Sequence, residues 1–404
     1  MLKQEKYKRI NIRLLPTKEQ EVKMWKSVNN VRNVKNIFIA RCYEIDKDTE
    51  FFSVDPLKKE LTKLLKDKKY MYLKETSRQT LNFAIKDVVD SFINYRRKST
   101  KKPVFKKKTT ATKSFKVRNG SNSFRRVGFT FYLEKIGNIK FSKKYYLKNK
   151  YIFDYMEKDR YILPTVIYDG KYWFISIMYR SDLINSQKPR ELTNETIGID
   201  LGIKTLATCS NGKSYKNINK SQKVKKIEKK LKRKQRQVSR KYEMNKQDKK
   251  FIKTNNIIKL EKEIKLLHRK LKNIKNTHIH TMTKEIVEQL PQEIVIEDLK
   301  VSNMMKNKHL SKHISKSNWH EIRRQLSYKC EDRGILLTVA NTYYPSSQTC
   351  SCCGNRLTKQ DKLSLSQRTY KCSCGNNLDR DYNASLNLKN YRYSKWYQNN
   401  IISQ

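Results

Sequence analysis

From Tyr7 to Leu14 the chain alternates basic and apolar residues (Arg9, Ile10, Ile12, Arg13, Leu14), the period of a half-exposed strand, and Pro16 ends it. Thr17 with Gln20 three residues on is a capping box that opens a helix carrying Val22, Trp25 and Val28, followed by Val31-Arg32-Asn33-Val34. A second box, Thr76 to Gln79, predicts a helix with Leu81, Ile85, Val88, Val89 and Phe92 on one face. Short strand-like runs follow at Phe115 to Val117, Val127 to Leu133, Ile139 to Phe141, Tyr161 to Tyr168 and Trp173 to Tyr179, punctuated by Gly120, Gly128, Gly137 and Gly170. This reads as a small antiparallel β-domain that the strand at Tyr7 joins, with the helices of 17–98 inserted. The polar stretch 181–196 is the expected domain boundary. Beyond it, Ile197-Gly198-Ile199-Asp200-Leu201-Gly202 and Ile294-Val295-Ile296-Glu297-Asp298 read as buried strands ending in a carboxylate. Between them lie two helices. The second carries an apolar seam (Ile257, Leu260, Ile264, Leu267, Leu271, Ile274), and the first carries Val224, Ile227, Leu231 and Val238 in a field of Lys and Arg. The pattern predicts an antiparallel hairpin with a positive outer face.

Charge narrows the function. The 404 residues allow more than one core, and 91 basic against 38 acidic residues give a net charge of +53. An A+T-rich coding sequence favours Lys over Arg but does not remove Asp and Glu, so the excess calls for a polyanion. The partner expected is nucleic acid, with no membrane and no small-molecule substrate. Met1 to Lys8 has no apolar signal core, and no run approaches the roughly 18 apolar residues of a spanning helix. A cytoplasmic, nucleoid-associated protein is expected, whose eight cysteines are not disulfides.

Two constellations carry chemistry. Asp200 and Glu297 at strand ends, with Asp381 at a helix start in Asp379-Arg380-Asp381-Tyr382-Asn383-Ala384, can gather hard oxygen ligands around two Mg²⁺ ions for phosphodiester hydrolysis. The first segment alone fits an actin-like ATPase equally well, and the later acids favour a nuclease. Asp298 is assigned a structural or outer role on the opposite face of its strand, and Asp379 reads as an N-cap. Cys350, Cys353, Cys372 and Cys374 form two knuckles with 18 residues between, near the zinc-ribbon pattern for one structural Zn²⁺; Cys352 is surplus. Cys42, Cys209 and Cys330 read as small buried hydrophobes. The six histidines form no ligand pattern. The basic linker containing Arg96, Arg97, Lys101, Lys102, Lys106, Lys107 and Lys108 mixes charge with aromatics, as nucleic-acid contact does; a solvated loop is the plain alternative.

Together these segments, with Tyr344-Pro345-Ser346-Ser347-Gln348-Thr349-Cys350, resemble the TnpB family, the transposon-associated RNA-guided endonucleases related to miniature type V CRISPR effectors. The resemblance implies an α/β multidomain protein. A small β-barrel wedge domain (1–16 and 99–186) with a helical recognition insertion (17–98) precedes a ribonuclease H-like RuvC nuclease domain (187–404), itself carrying a helical hairpin (218–275) and a zinc ribbon (346–377). It further implies Asp200, Glu297 and Asp381 as the metal-binding acids and a guide RNA from the transposon end. Double-stranded DNA would be cleaved beside a short adjacent motif, with sequence read by guide pairing. The alternatives are a miniature type V CRISPR effector, which needs a repeat array beside its gene, and a nuclease-silent RNA-guided repressor, which would show a damaged acid triad. A plain double-stranded DNA-binding protein would leave the acids unexplained.

Overall fold

A computed structural model describes residues 7–48, 53–120, 122–156, 161–180, 191–247, 250–358, 361, 363 and 367–402. The chain divides into two compact units, Met1–Gln187 and Lys188–Gln404. Most of the polar stretch at the expected boundary, residues 181–190, lies outside the described residues.

The first unit starts with strand β1 (Tyr7–Leu15), whose alternation buries Ile10, Ile12 and Leu14. The Thr17 box forms reciprocally: Thr17 N–H donates to Gln20 Oε1 at 3.0 Å and Gln20 N–H to Thr17 Oγ1 at 3.3 Å. Helix α1 (Lys18–Asp48) follows, then α2 (Val54–Leu64), which the sequence pattern did not single out, and α3 (Arg78–Arg96). Leu81, Ile85, Val88, Val89 and Phe92 of α3 are buried in one core with Met24, Val28, Val34 and Phe38 of α1. The second expected capping box is not what starts α3. Thr76 Oγ1 instead accepts from Asn30 Nδ2 of α1 at 3.0 Å, and the N-cap is Ser77, whose hydroxyl donates to Glu134 at 2.6 Å. Tertiary partners outcompete the local bond.

The remaining strands are β2 (Ser114–Lys116), β3 (Phe124–Val127), β4 (Thr130–Leu133) and β5 (Gly137–Phe141), then short helices α4 (Lys143–Lys148) and α5 (Lys150–Met156), then β6 (Tyr161–Tyr168) and β7 (Trp173–Arg180). The run read as one strand, Val127 to Leu133, is a hairpin, because Gly128 (φ +56°) lets the chain reverse and pair Val127 with Thr130. The seven strands form one antiparallel sheet in the order β2-β6-β7-β1-β5-β4-β3. The expected barrel is therefore an open sheet among the described residues: β2 and β3 are its end strands and share no ladder. β1 bridges its halves, pairing β7 through Tyr7 to Arg13 and β5 through Leu14 and Leu15.

The second unit is built on β8 (Thr193–Asp200), β9 (Thr205–Cys209) and β10 (Ser214–Lys216), an antiparallel meander. Helix α6 (Gln222–Met244) then leads through two-residue strands β11 (Lys246–Gln247) and β12 (Lys250–Phe251) to α7 (Asn255–Val287) and β13 (Pro291–Glu297). After α8 (Val301–Met304), α9 (Ser311–Ser317) and α10 (Trp319–Glu331) comes β14 (Leu336–Ala340), and both β8 and β14 lie parallel to β13. Last come the short ribbon β15 (Thr369–Lys371) with β16 (Asn377–Asp379), and α11 (Arg380–Lys389). The main sheet runs β10-β9-β8-β13-β14. Helix α7 continues past the expected hairpin end at 275 because its apolar stripe changes partner. Ile257 is buried and Leu271 packs with Val224, Ile227 and Leu231 of α6, whereas Ile279, Met282 and Ile286 join the core under the sheet.

Candidate active site and cysteine cluster

Register brings two of the acids side by side. In the parallel ladder Gly198 lies opposite Val295 and Ile199 opposite Ile296, so the next residues, Asp200 and Glu297, end adjacent strands on the same face. The other face takes Ile197, Ile199, Ile294 and Ile296 into a core with Ile286 of α7 and Ile322 and Leu326 of α10. On the acid face lies α11, whose Leu388 and following Tyr391 share a small core with Val295. Asp381 sits in the first turn of α11, and Asp379 starts that helix as its N-cap, its Oδ1 accepting from the backbone N–H of Asp381 at 2.9 Å and Tyr382 at 3.1 Å.

The charge of Asp381 reaches both strand acids. Burial, then the charges of Glu297 and Asp381, push the Asp200 carboxyl well above its usual range. Burial also raises Glu297; Asp381 adds to the shift, while hydrogen bonds to Ser346 and Asp200 and the charge of Arg380 oppose it. Asp381 is raised by burial, with Asp379 adding and Arg368, Arg380 and Lys204 opposing. Arg368 Nη1 stands 3.5 Å from Asp381 Oδ1, a long ion pair. Three neighbouring carboxyls whose ionisation the protein's own cations only partly support offer hard oxygen donors of the kind a divalent cation takes. Asp298 differs. It accepts from Lys300 at 2.8 Å, Thr342 at 2.8 Å and Arg323 at 2.9 Å, and those bonds, Lys300 first, hold its carboxyl below the usual range.

The segment Tyr344 to Cys350 ties this site to the cysteines. Ser346, buried, donates from Oγ to Glu297 Oε1 at 2.6 Å. Its backbone carbonyl accepts from Asn387 Nδ2 at 2.7 Å, and the Thr349 carbonyl accepts from both Asn387 at 2.6 Å and Asn383 at 2.8 Å. Asn383 Oδ1 also accepts from Ser351 N–H at 3.0 Å. The two asparagines are buried on α11, so that helix carries the segment through side-chain amides. No sequence signal separated Ser346 from Ser347 or marked Asn383 and Asn387 as more than helix residues.

The ligand atoms of Cys350, Cys353, Cys372 and Cys374 lie within 4.8 Å of one another, an arrangement compatible with a structural zinc site. Cys352 is exposed and outside the group. Each knuckle turns on a glycine in the left-handed region, Gly354 (φ +75°) and Gly375 (φ +88°), and Asn376 Nδ2 reaches Cys350 Sγ at 3.3 Å. Although burial raises the Cys350 thiol, the Cys353 N–H, Asn376 and the Cys352 N–H bring it down to about 6, favouring the thiolate a metal needs. Cys42, Cys209 and Cys330 are buried singly, and burial pushes the last two up to about 12.

The seven basic linker residues belong to the first unit. Arg96 ends α3; Arg97, Lys101, Lys102, Lys107 and Lys108 are exposed, and Lys106 is partly buried. Asn36 fixes the linker to α1, its amide bonding the Lys106 N–H at 2.6 Å and carbonyl at 3.2 Å. Lys102 Nζ stands 4.8 Å from the Tyr43 ring centroid, and Val104 and Phe105 are exposed beside it. Charge and aromatic surface are thus presented together.

A family model described as "Probable transposase" (OrfB_IS605) matches residues 176–308, and that of the Cas12f1-like TNB domain matches 319–388. A protein of Streptomyces pristinaespiralis named "Putative RNA-guided DNA endonuclease" is 28% identical over 93% of this chain and 87% of its own length. InsQ of Escherichia coli (strain K12), which bears the same description, is 28% identical over 93% and 90%. A TnpB-like protein of Methanocaldococcus jannaschii is 27% identical over 35% of this chain and 31% of its own. In fold, a chain from the cryo-EM structure of a Cas12f1-sgRNA-target DNA complex matches with a TM-score of 0.57 at 14% identity, covering 96% of this chain and 99% of that one. The architecture is TnpB/Cas12-like. In both matched segments and in its full-length relatives the chain is similar to the TnpB family.

Proposed function

We infer that this protein is an RNA-guided DNA endonuclease of an insertion sequence, cleaving double-stranded DNA beside a short adjacent motif. The observation that carries the reading is the convergence of Asp200, Glu297 and Asp381 from β8, β13 and α11, each with its carboxyl raised by burial. The sheet order β10-β9-β8-β13-β14, a meander continued by two parallel strands, supports a ribonuclease H-like RuvC domain. The relatives' names support the guide, and the charge of +53 supports a large polyanionic partner.

Asp200, Glu297 and Asp381 would hold two Mg²⁺ ions, which when bound activate a water and stabilise charge on the phosphodiester oxygens. The chain's own part is placement. Two acids are fixed by strand pairing and the third by a capped helix turn, so little ordering remains when substrate arrives. The cysteine cluster would hold one Zn²⁺ that keeps the segment after β14 folded. The sheet of the first unit (1–16 and 99–186) is assigned the wedge role and its helices (17–98) the recognition role. Arg96, Arg97, Lys101, Lys102, Lys106, Lys107 and Lys108 lie on the linker between them, where they would contact guide RNA from the transposon end or the target duplex. Among the described residues no helix is long and apolar enough to cross a membrane.

The test uses the protein with the RNA that copurifies. Changing the variable end of that RNA should move the cleavage site. Asp200→Ala, Glu297→Ala or Asp381→Ala should each lower Mg²⁺-dependent cleavage by about a thousandfold or more with target binding retained. Cleavage that ignores the guide overturns the RNA-guided reading; undiminished cutting by any one variant removes that acid from the site.

A further inference from the structure

Besides Asp200 of β8, Glu297 meets a side chain that comes neither from the main sheet nor from α11. It is Ser346, in the segment that ends at Cys350, and it is itself held from both sides. Its carbonyl is bound by Asn387, and the Thr349 carbonyl three residues on is bound by Asn387 and Asn383. The Cys350 N–H then donates to Asn355 at 2.9 Å within the first knuckle. An unbroken run of hydrogen bonds therefore links the cysteine cluster, α11 and one carboxylate oxygen. The Ser346 donor is aimed at Oε1 at 2.6 Å, and a hydroxyl bonded to one oxygen of a carboxylate fixes its torsion; the other side-chain partner of Glu297 is Asp200, the acid with which it would share an ion.

We propose that Ser346 is a positioning residue for divalent-metal binding, anchoring Glu297 through Oε1 so that Oε2 is presented to the ion. The proposal rests on the metal-binding reading of the three acids. Ser346 touches no substrate and moves no proton. It acts by orienting a ligand, and the four-cysteine module, through its connection to this segment, sets where the hydroxyl stands. Asp200 is placed by its strand and Asp381 by the first turn of α11.

Fe²⁺ is the probe, because it occupies Mg²⁺ sites of carboxylates and, with ascorbate and peroxide, cuts the polypeptide beside itself, so ions bound to RNA do not register. In the full RNA-bound protein, fragments ending near β8, β13 and α11 are quantified against Fe²⁺ concentration. Ser346→Ala should raise the half-maximal Fe²⁺ concentration by about tenfold to a hundredfold, the range for removing an outer partner of a metal ligand. Zinc content and melting temperature should hold. The Mg²⁺ needed for half-maximal cleavage should rise in parallel, with much of the maximal rate recovered at high Mg²⁺. An unchanged Fe²⁺ midpoint overturns the proposal, as does a variant that loses zinc or melts lower, since Ser346 would then be a structural residue only. Asp200→Ala, run beside it, separates the two levels. If that variant also fragments like the parent, the acid site itself has been misread; if its fragmentation is lost and that of Ser346→Ala is unchanged, only the role of Ser346 fails.

Discussion

Gly198 of β8 and Ser385 of α11 meet backbone to backbone: a Cβ on Gly198 would stand 2.1 Å from the Ser385 carbonyl oxygen, with the Lys389 nitrogen 2.3 Å away. Both atoms are main chain of a helix packed by Ala384 and Leu388, so neither can swing aside as a flexible side chain would. Gly198 shares its strand face with Asp200 two residues on, and Ser385 stands one turn after Asp381, so this approach is what brings the two acids together.

Gly198→Ala should therefore behave as an active-site mutation without touching an acid. The methyl group must displace α11, at a cost of about 1–3 kcal/mol of stability. Metal-dependent cleavage should fall much further than stability, because a shift of about 1 Å at a reacting centre costs on the order of a hundredfold. Thermal melting and cleavage rate on one preparation check both, and a Gly198→Ala protein that melts and cuts as the parent does would refute the coupling.

What a local pattern can state, this chain states clearly. The alternation of β1 and the reciprocal bonds of Thr17 and Gln20 need only residues within a few positions of each other. Asp379 caps α11 by the same short-range rule. Patterns fail where a distant partner competes. Thr76 has every feature of a cap, but Asn30 of α1 takes its hydroxyl. Val127 to Leu133 has the apolar content of one strand, but the conformation open to Gly128 folds it into two. The candidate site shows the same divide. Apolar runs ending in Asp200 and Glu297 mark strand ends, whereas the parallel register of Ile199 with Ile296 depends on the whole of α6 and α7 being closed out between them. Ser346 is legible only from the fold, since nothing in Pro345-Ser346-Ser347 separates the serine that meets Glu297 from its neighbour.

The cysteine cluster yields a metal prediction with an internal control. Cys372→Ser or Cys374→Ser should lower zinc content and destabilise the 346–377 segment, whereas Cys352→Ser, outside the four-sulfur group, should leave both near the parent. Zinc per chain by elemental analysis, with limited proteolysis of the segment, reads the outcome. Equal damage from Cys352→Ser would mean that the first knuckle uses a different pair.

Lys329 gives a pH signature far from metal chemistry. It is 6% exposed between α10 and α7, and its Nζ donates to the Thr283 hydroxyl at 2.6 Å and the His280 carbonyl at 2.9 Å, with Gln325 Oε1 more distant at 3.5 Å. All three acceptors are neutral. Burial first, with repulsion from Arg333 second, lowers its ammonium to about 8. The folded state therefore releases this proton near pH 8, while the unfolded chain keeps it to about 10.4, so between those values the unfolded state binds more protons and stability rises with pH. Below pH 8 both states are protonated and the cost of the buried charge is present in full. Lys329→Met removes the charge while filling similar volume. The stability of the parent relative to this variant should climb by on the order of 1–3 kcal/mol between pH 8 and pH 10 and stay flat from pH 6 to pH 7.5. Denaturant titrations of both proteins at matched salt measure that difference, and a difference that does not change with pH would show that the Lys329 ammonium keeps its proton throughout and that its three neutral acceptors suffice to hold it.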